Sequence, residues 1–166
     1  MTTRAFYFFE PVGFEVLGHV IAGHFGVPAH EVLVFDDMRH IDAPFEDTPG
    51  GPLWQEWEVA RIRVYVEMLT DVIGPLAGWF AIETESPVEN TFEDLPVARA
   101  VGAASGQVIV FRDPVPDPYD SPYVEAAQIA VDPDGEQTEM WLVEYGETGQ
   151  SRMELIPRAD VFPERG

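Results

Sequence analysis

Histidines and carboxylates are the residues of this chain best equipped for chemistry, and they gather most densely between His30 and Asp47. His30, Asp36, Asp37 and His40 are ligand types for a divalent ion, which held there would activate a water for hydrolysis. No H-x-x-x-H or comparable spacing supports such a centre, so a metal-dependent hydrolase is the alternative rather than the preferred function. Asp36-Asp37 is also the best-placed carboxylate pair for acid–base work, at the end of an apolar run where α/β proteins put their sites. The commoner role of strand-end acids is to face water. His19 and His24 are five positions apart on a helical segment, about 140° around its axis, and cannot share a metal. Asp132-Pro133-Asp134-Gly135 lacks the bidentate glutamate of a calcium loop and reads as a hairpin turn. Gly18, Gly23 and Gly26 fit neither dinucleotide nor P-loop spacing, and no serine sits in G-x-S-x-G. No cofactor is implied.

A repeated phrase stands out more than any of these. Glu31 to Asp37 (EVLVFDD) returns as Gln107 to Asp113 (QVIVFRD), both x-V-x-V-F-x-D. Each copy leads into an acidic, aromatic, proline-stiffened stretch. The first carries Asp36, Asp37, Asp42, Glu46 and Asp47 with Trp54 and Trp57. The second carries Asp113, Asp117, Asp120 and Glu125 with Tyr119 and Tyr123. Aromatic anchors ringed by charge are what protein interfaces favour, and prolines lower the ordering cost of binding. These residues form the candidate partner-binding set, with Asp37 and Asp113 expected to mark the start of one working surface. At more than a dozen residues, the first stretch is also longer than an ordinary connection, a length that usually signals function.

Charge points the same way. Thirty acids against nine basic residues give −21, and every basic residue is an arginine. Such a balance repels nucleic-acid phosphates and anionic membranes and favours a basic protein partner. The absence of cysteine excludes disulfides, thiolate metal sites and cysteine nucleophiles. Neither a secretory leader nor an apolar membrane span is legible, so a cytoplasmic protein is expected.

The elements that must position these stretches follow from periodicity. Arg4 to Glu10 reads as a strand, Phe14 to Phe25 as a helix stopped by Gly26, and Glu31 to Phe35 as a strand. If the two strands are neighbours, their crossover should be right-handed. Residues 56–73 fit either a helix or a strand. Trp79 to Glu83 is a strand, Asp94 an N-cap with Pro96 in the first turn of a helix ending before Gly106, and Gln107 to Phe111 a strand. Glu125 to Val131 and Thr138 to Tyr145 form a hairpin, and Arg152 to Ile156 a last strand.

Three cues recur in order. Phe14-Glu15-Val16-Leu17 echoes Phe92-Glu93-Asp94-Leu95, the x-V-x-V-F-x-D strands match, and E-x-A-x-I-x-V occurs at Glu58 to Val64 and Glu125 to Val131. They suggest a diverged duplication of a β-α-β-loop-β unit, with halves 4–74 and 78–158 within a single domain 1–166. The second E-x-A-x-I-x-V lies in a hairpin, so the comparison assigns Val59 to Met68 to a strand. The expected fold class is α+β: a mixed sheet with two helices and an added C-terminal hairpin and strand. The expected function is a small acidic interaction protein that occludes a basic enzyme such as a toxic nuclease. In general texture the chain is similar to the immunity proteins of bacterial toxin systems, without a motif that matches residue by residue. A structural or oligomerising domain without ligand is the third alternative, and the oligomeric state is not legible.

Overall fold

The computed structural model describes residues 2–36, 58–69, 72–84, 93–113, 127–147 and 150–161. Both long helices form where apolar residues recur at helical spacing. In α1, Phe14–Phe25, the buried positions are Leu17, Ile21 and Ala22. It ends at Gly26, whose φ of 66° few other residues adopt, and Val27 N–H then closes back on Ala22 O at 3.0 Å. In α2, Asp94–Ser105, the buried positions are Val97, Ala98, Val101 and Gly102, and Gly106 at φ 70° stops it. The N-cap is Glu93 rather than Asp94, which instead occupies the first turn.

Among the described residues nine strands share one sheet: β1 (Thr2–Phe8), β2 (Val32–Asp36), β3 (Ile62–Met68), β4 (Val72–Ile73), β5 (Gly78–Thr84), β6 (Ile109–Arg112), β7 (Ala127–Val131), β8 (Gln137–Glu147) and β9 (Gln150–Pro157). Their order is β2-β3-β5-β1-β6-β7-β8-β9-β4. A 3₁₀ turn, Ala29–Glu31, precedes β2, and a single helical turn α3, Arg158–Val161, follows β9. The chain is thus α+β with a mixed sheet, and residues 62–68 are strand rather than helix.

β1 and β2 run parallel, but β5 and β3 lie between them, so they are not neighbours. Two split β-α-β units interleave instead: β1-α1-β2 encloses β5 and β3, while β5-α2-β6 encloses β1. The strands bearing the matched cues sit in unlike pairings, since β2–β3 is parallel and β6–β7 antiparallel.

The sheet also turns back on itself. β4 lies in the short link between β3 and β5, yet it pairs with Ser151 and Arg152 of β9 at the far end of the ladder. That is possible only if the sheet curls until β9 reaches the β3–β5 tip. Gly74 makes the meeting possible, because a Cβ there would overlap the Met153 backbone.

Alternation along the strands fills the space under the helices. Phe6, Phe8, Ile62, Val64, Phe80, Ile82, Ile109 and Phe111 meet Leu17, Ile21, Val97 and Val101 in one buried cluster. Phe6 stacks on Phe80 at 5.1 Å and meets Phe111 at 6.2 Å. Residues of the opposite face are buried too, among them Ala81, Val110, Arg63 and Gln128. This two-sided burial explains why β5 reads as a near-continuous apolar run rather than a strict alternation.

Candidate interaction end and ligand cleft

Strand direction decides where the two acidic stretches sit. β2 is parallel to β3, and the antiparallel steps from β3 through β5 and β1 to β6 leave β6 opposed to β2. Asp36 therefore closes β2 pointing toward one end of the sheet, the upper end, while Asp113 follows β6 toward the lower end. The two copies of x-V-x-V-F-x-D thus deliver the chain in opposite directions, and Asp37 itself lies outside the described residues.

Connectivity also separates the two stretches by what the fold demands of them. Residues 37–57 link the top of β2 to the bottom of its parallel neighbour β3, a crossover that needs a dozen or more residues in any protein. Their length therefore says little about function. Residues 114–126 join the bottoms of β6 and β7, antiparallel neighbours that two to five residues could connect. Their excess is not required by topology. The lower end, where β3 begins, thus receives both ends of the second stretch and the return of the first.

Most of the candidate partner-binding residues lie outside the described residues: Asp37, Asp42, Glu46, Asp47, Trp54 and Trp57 in the first stretch, and Asp117, Tyr119, Asp120, Tyr123 and Glu125 in the second. His40 does as well. His30 is exposed in the 3₁₀ turn at the foot of β2, six residues before Asp36 at its head. At ~3.3 Å per strand residue they are roughly 20 Å apart, so His30 cannot share a metal ion with Asp36. Among the described residues no three histidines or carboxylates gather closely enough to hold one.

Asp113 is described, and it faces inward. Its residue exposure is 7 %. Arg158 of α3 donates from Nη2 to Asp113 Oδ2 at 2.6 Å and to Gln128 O at 3.0 Å, and from Nε to Met140 O at 3.2 Å. The same guanidinium lies 5.4 Å from the Trp141 ring centroid. One arginine so ties β6, β7 and β8 together at the lower end. Sequence reasoning missed it, because Arg158 lies beyond the last strand legible from periodicity and its partners are remote in the chain.

Other arginines are paired with carboxylates as well, Arg63 in the interior and Arg4, Arg61 and Arg152 at the surface. Arg63 pairs with Glu83 at 3.4 Å across β3 and β5, and the Tyr65 hydroxyl donates to the other Glu83 oxygen at 2.9 Å. Arg4 pairs with Asp94, Arg61 with Glu31, and Arg152 with Glu154. Among the seven described arginines, five are in ion pairs with carboxylates.

A cleft of ≈ 600 Å³ runs along α2 above the sheet. Phe111 of β6 and Ile129 of β7 form its floor, and Leu95 and Pro96 one wall. Arg4 and Asp94 stand at its lower end, 3.4 Å apart, and Arg99 further along. Burial pushes the Asp94 carboxyl above the usual carboxylate range, with the Arg4 charge opposing. Its Oδ1 is buried without a hydrogen-bond donor. Arg99 Nε donates to Gly135 O at 3.2 Å in the β7–β8 turn. The volume suits a small molecule.

Among the described residues no helix is long and apolar enough to cross a membrane. Compared with protein-family models, curated proteins and solved structures, the chain has no match in any of the three.

Proposed function

We propose that this chain is an acidic interaction protein that binds and occludes a basic protein partner, as an inhibitor or immunity-type protein of a toxin or nuclease would. The supporting observation is where the positive charge goes. Five of the seven described arginines are paired with carboxylates, two of them in the interior and three at the surface, so a chain of net charge −21 has few unpaired cations to interrupt its outward negative field. A field of one sign steers an oppositely charged partner and rejects like-charged ones.

The contact end is the lower one, around residues 114–126, where Tyr119 and Tyr123 supply aromatic anchors and Asp117, Asp120 and Glu125 the charged rim. Asp113 is excluded from the contact set, because it is engaged with Arg158. Trp54 and Trp57, which precede β3 in the chain, are further candidate anchors.

The test is binding to the product of the neighbouring reading frame, titrated with salt. Affinity should fall steeply between 50 and roughly 500 mM salt as charges are screened. Salt-independent binding, or none, refutes the electrostatic mechanism.

A further inference from the structure

Among the described residues the sheet ends in two unlike edges. At one, β4 has only two residues, a length that blunts an edge. At the other, β2 runs for five residues, Val32–Asp36, with no proline, lysine or bulge to discourage a further strand. Which of its main-chain groups face outward follows from the ladder. Leu69 N–H donates to Ala77 O and so continues the β3–β5 register, which means that odd-numbered residues of β3 bond to β5 and even-numbered ones turn toward β2. In the parallel register those even residues bond to Leu33 and Phe35, leaving the main chain of Val32 and Val34 facing out. Val32 N–H donates back to Ala29 O. The Val34 N–H, the Val34 C=O and the Val32 C=O have no partner among the described residues. A groove of ≈ 400 Å³ lies beside these groups, between β2 and α1. Phe14, 38 % exposed, and Gly18 line it from α1, and Val32 and Val34 from β2. Glu15, also in the lining, is exposed and has no ion-pair partner among the described residues.

We propose that the β2 edge takes up an extended segment of the basic partner as an additional antiparallel strand. The proposal rests on the reading of a basic partner and adds a docking place beyond residues 114–126. Antiparallel pairing is the more stable kind, and it lets one residue of the segment accept from Val34 N–H and donate to Val34 C=O. The side chain of that residue shares the face of Val34, which is the face toward α1 and Phe14. Side chains two positions to either side share that face too, where α1 presents Glu15, so lysine or arginine suits them. A second copy of this chain is the poorer occupant, because it would bring together two chains of −21 and two grooves lined by Glu15.

The probe is the heptapeptide Thr-Lys-Thr-Val-Thr-Lys-Thr, titrated into the full chain and followed by protein NMR. Resonance shifts should centre on Phe14, Val32 and Val34, and amide exchange at Val34 should slow by about tenfold or more at saturation. N-methylation of the peptide's valine removes the N–H that faces β2 and should cost about tenfold or more in affinity, whereas N-methylation of the following threonine, whose N–H faces solvent, should cost little. Glu15→Gln, at an exposed position, should weaken the lysine peptide by about threefold and leave an analogue with glutamine in place of lysine unchanged. No binding, shifts elsewhere only, or full affinity of the N-methylvaline peptide would each overturn the assignment. So would Val34 protection that grows with protein concentration in the absence of peptide, which puts a second copy on the edge. Peptide binding as expected, with none of the neighbouring gene's product, would refute the basic-partner reading and leave the edge site standing. Salt-sensitive binding of that product with Val34 exchange unchanged would overturn the edge site alone.

Discussion

Replacing Arg158 with methionine probes the largest single electrostatic commitment in the fold. The Asp113 side chain is 5 % exposed and that of Arg158 22 %, so water screens the pair little. The substitution preserves the stem that packs near Trp141 but removes the cation from Oδ2 and the donors from Gln128 O and Met140 O. Breaking a buried pair from one side costs about 3–5 kcal/mol, against a total stability of about 5–15 kcal/mol for a domain. For a chain of this size the melting temperature should fall by roughly 6 to 20 °C. Urea unfolding followed by tryptophan fluorescence measures the loss, with Trp141 beside the lesion.

Three comparisons separate this account from a general loss of packing. Arg158→Lys keeps the charge but not the planar fork that serves an acid and two carbonyls together, and should fall between wild type and Arg158→Met. Asp113→Leu with Arg158→Met removes both charges, and should recover much of the loss of either single change. The cost of Arg158→Met should persist in 1 M salt, whereas the Arg61–Glu31 and Arg152–Glu154 pairs, whose arginines are 51 % and 52 % exposed, should contribute about 0–1 kcal/mol and lose it on screening. A loss under about 1 kcal/mol for Arg158→Met, or additive effects in the double variant, would refute a coupled buried pair.

Burial holds His24 below its usual range, so the unfolded chain takes up a proton near pH 6.5 before the folded chain does. Stability relative to His24→Gln should therefore fall as the pH drops from about 6.5 through the folded pKa, as measured by urea titrations at a series of pH values. Asp94 has the opposite consequence: its raised folded pKa is a penalty present above that value and relieved as the pH falls through it toward the usual 3.8, so Asp94→Asn should gain on wild type as the pH rises across that window. Gly78→Ala places a Cβ against Glu67 O and the Phe8 ring, and should destabilise by about 1–3 kcal/mol in the same assay. Gly74→Ala drives a Cβ into the Met153 backbone, and should be read by hydrogen exchange as faster exchange at Val72–Ile73 and Ser151–Arg152. Replacing residues 114–126 by Asn-Gly should leave the fold intact by circular dichroism while abolishing binding to the basic partner.

Elements whose signal is local were legible from the residues alone. Gly26 and Gly106 stop their helices because each takes a left-handed conformation at the C-terminus, and Asp132 makes the β7–β8 turn by accepting from the N–H groups of Asp134 and Glu136. What was not legible depends on partners distant in the chain. The β1–β2 separation follows from the insertion of β3 and β5, and the β4–β9 contact joins residues some eighty positions apart. The inward orientation of Asp113 depends on Arg158, 45 positions away. A carboxylate at a strand end looks the same in sequence whether it faces water or a buried guanidinium.

The repeated phrase shows the same limit in its sharpest form. Alternation in EVLVFDD and QVIVFRD specifies two strands with apolar residues and a terminal acid, and both strands exist. A side-chain pattern with period two is blind to whether its strand runs up or down the sheet, since reversing the strand leaves the buried set unchanged. Direction is set by the crossovers: α1 and its 3₁₀ turn bring the chain back to start β2 parallel to β1, and α2 brings it back to start β6 parallel to β5, hence against β1. The two matched phrases therefore run toward opposite ends of the sheet. Of the two stretches, only residues 114–126 are longer than the connection between their flanking strands requires, a difference that the likeness of the two phrases conceals.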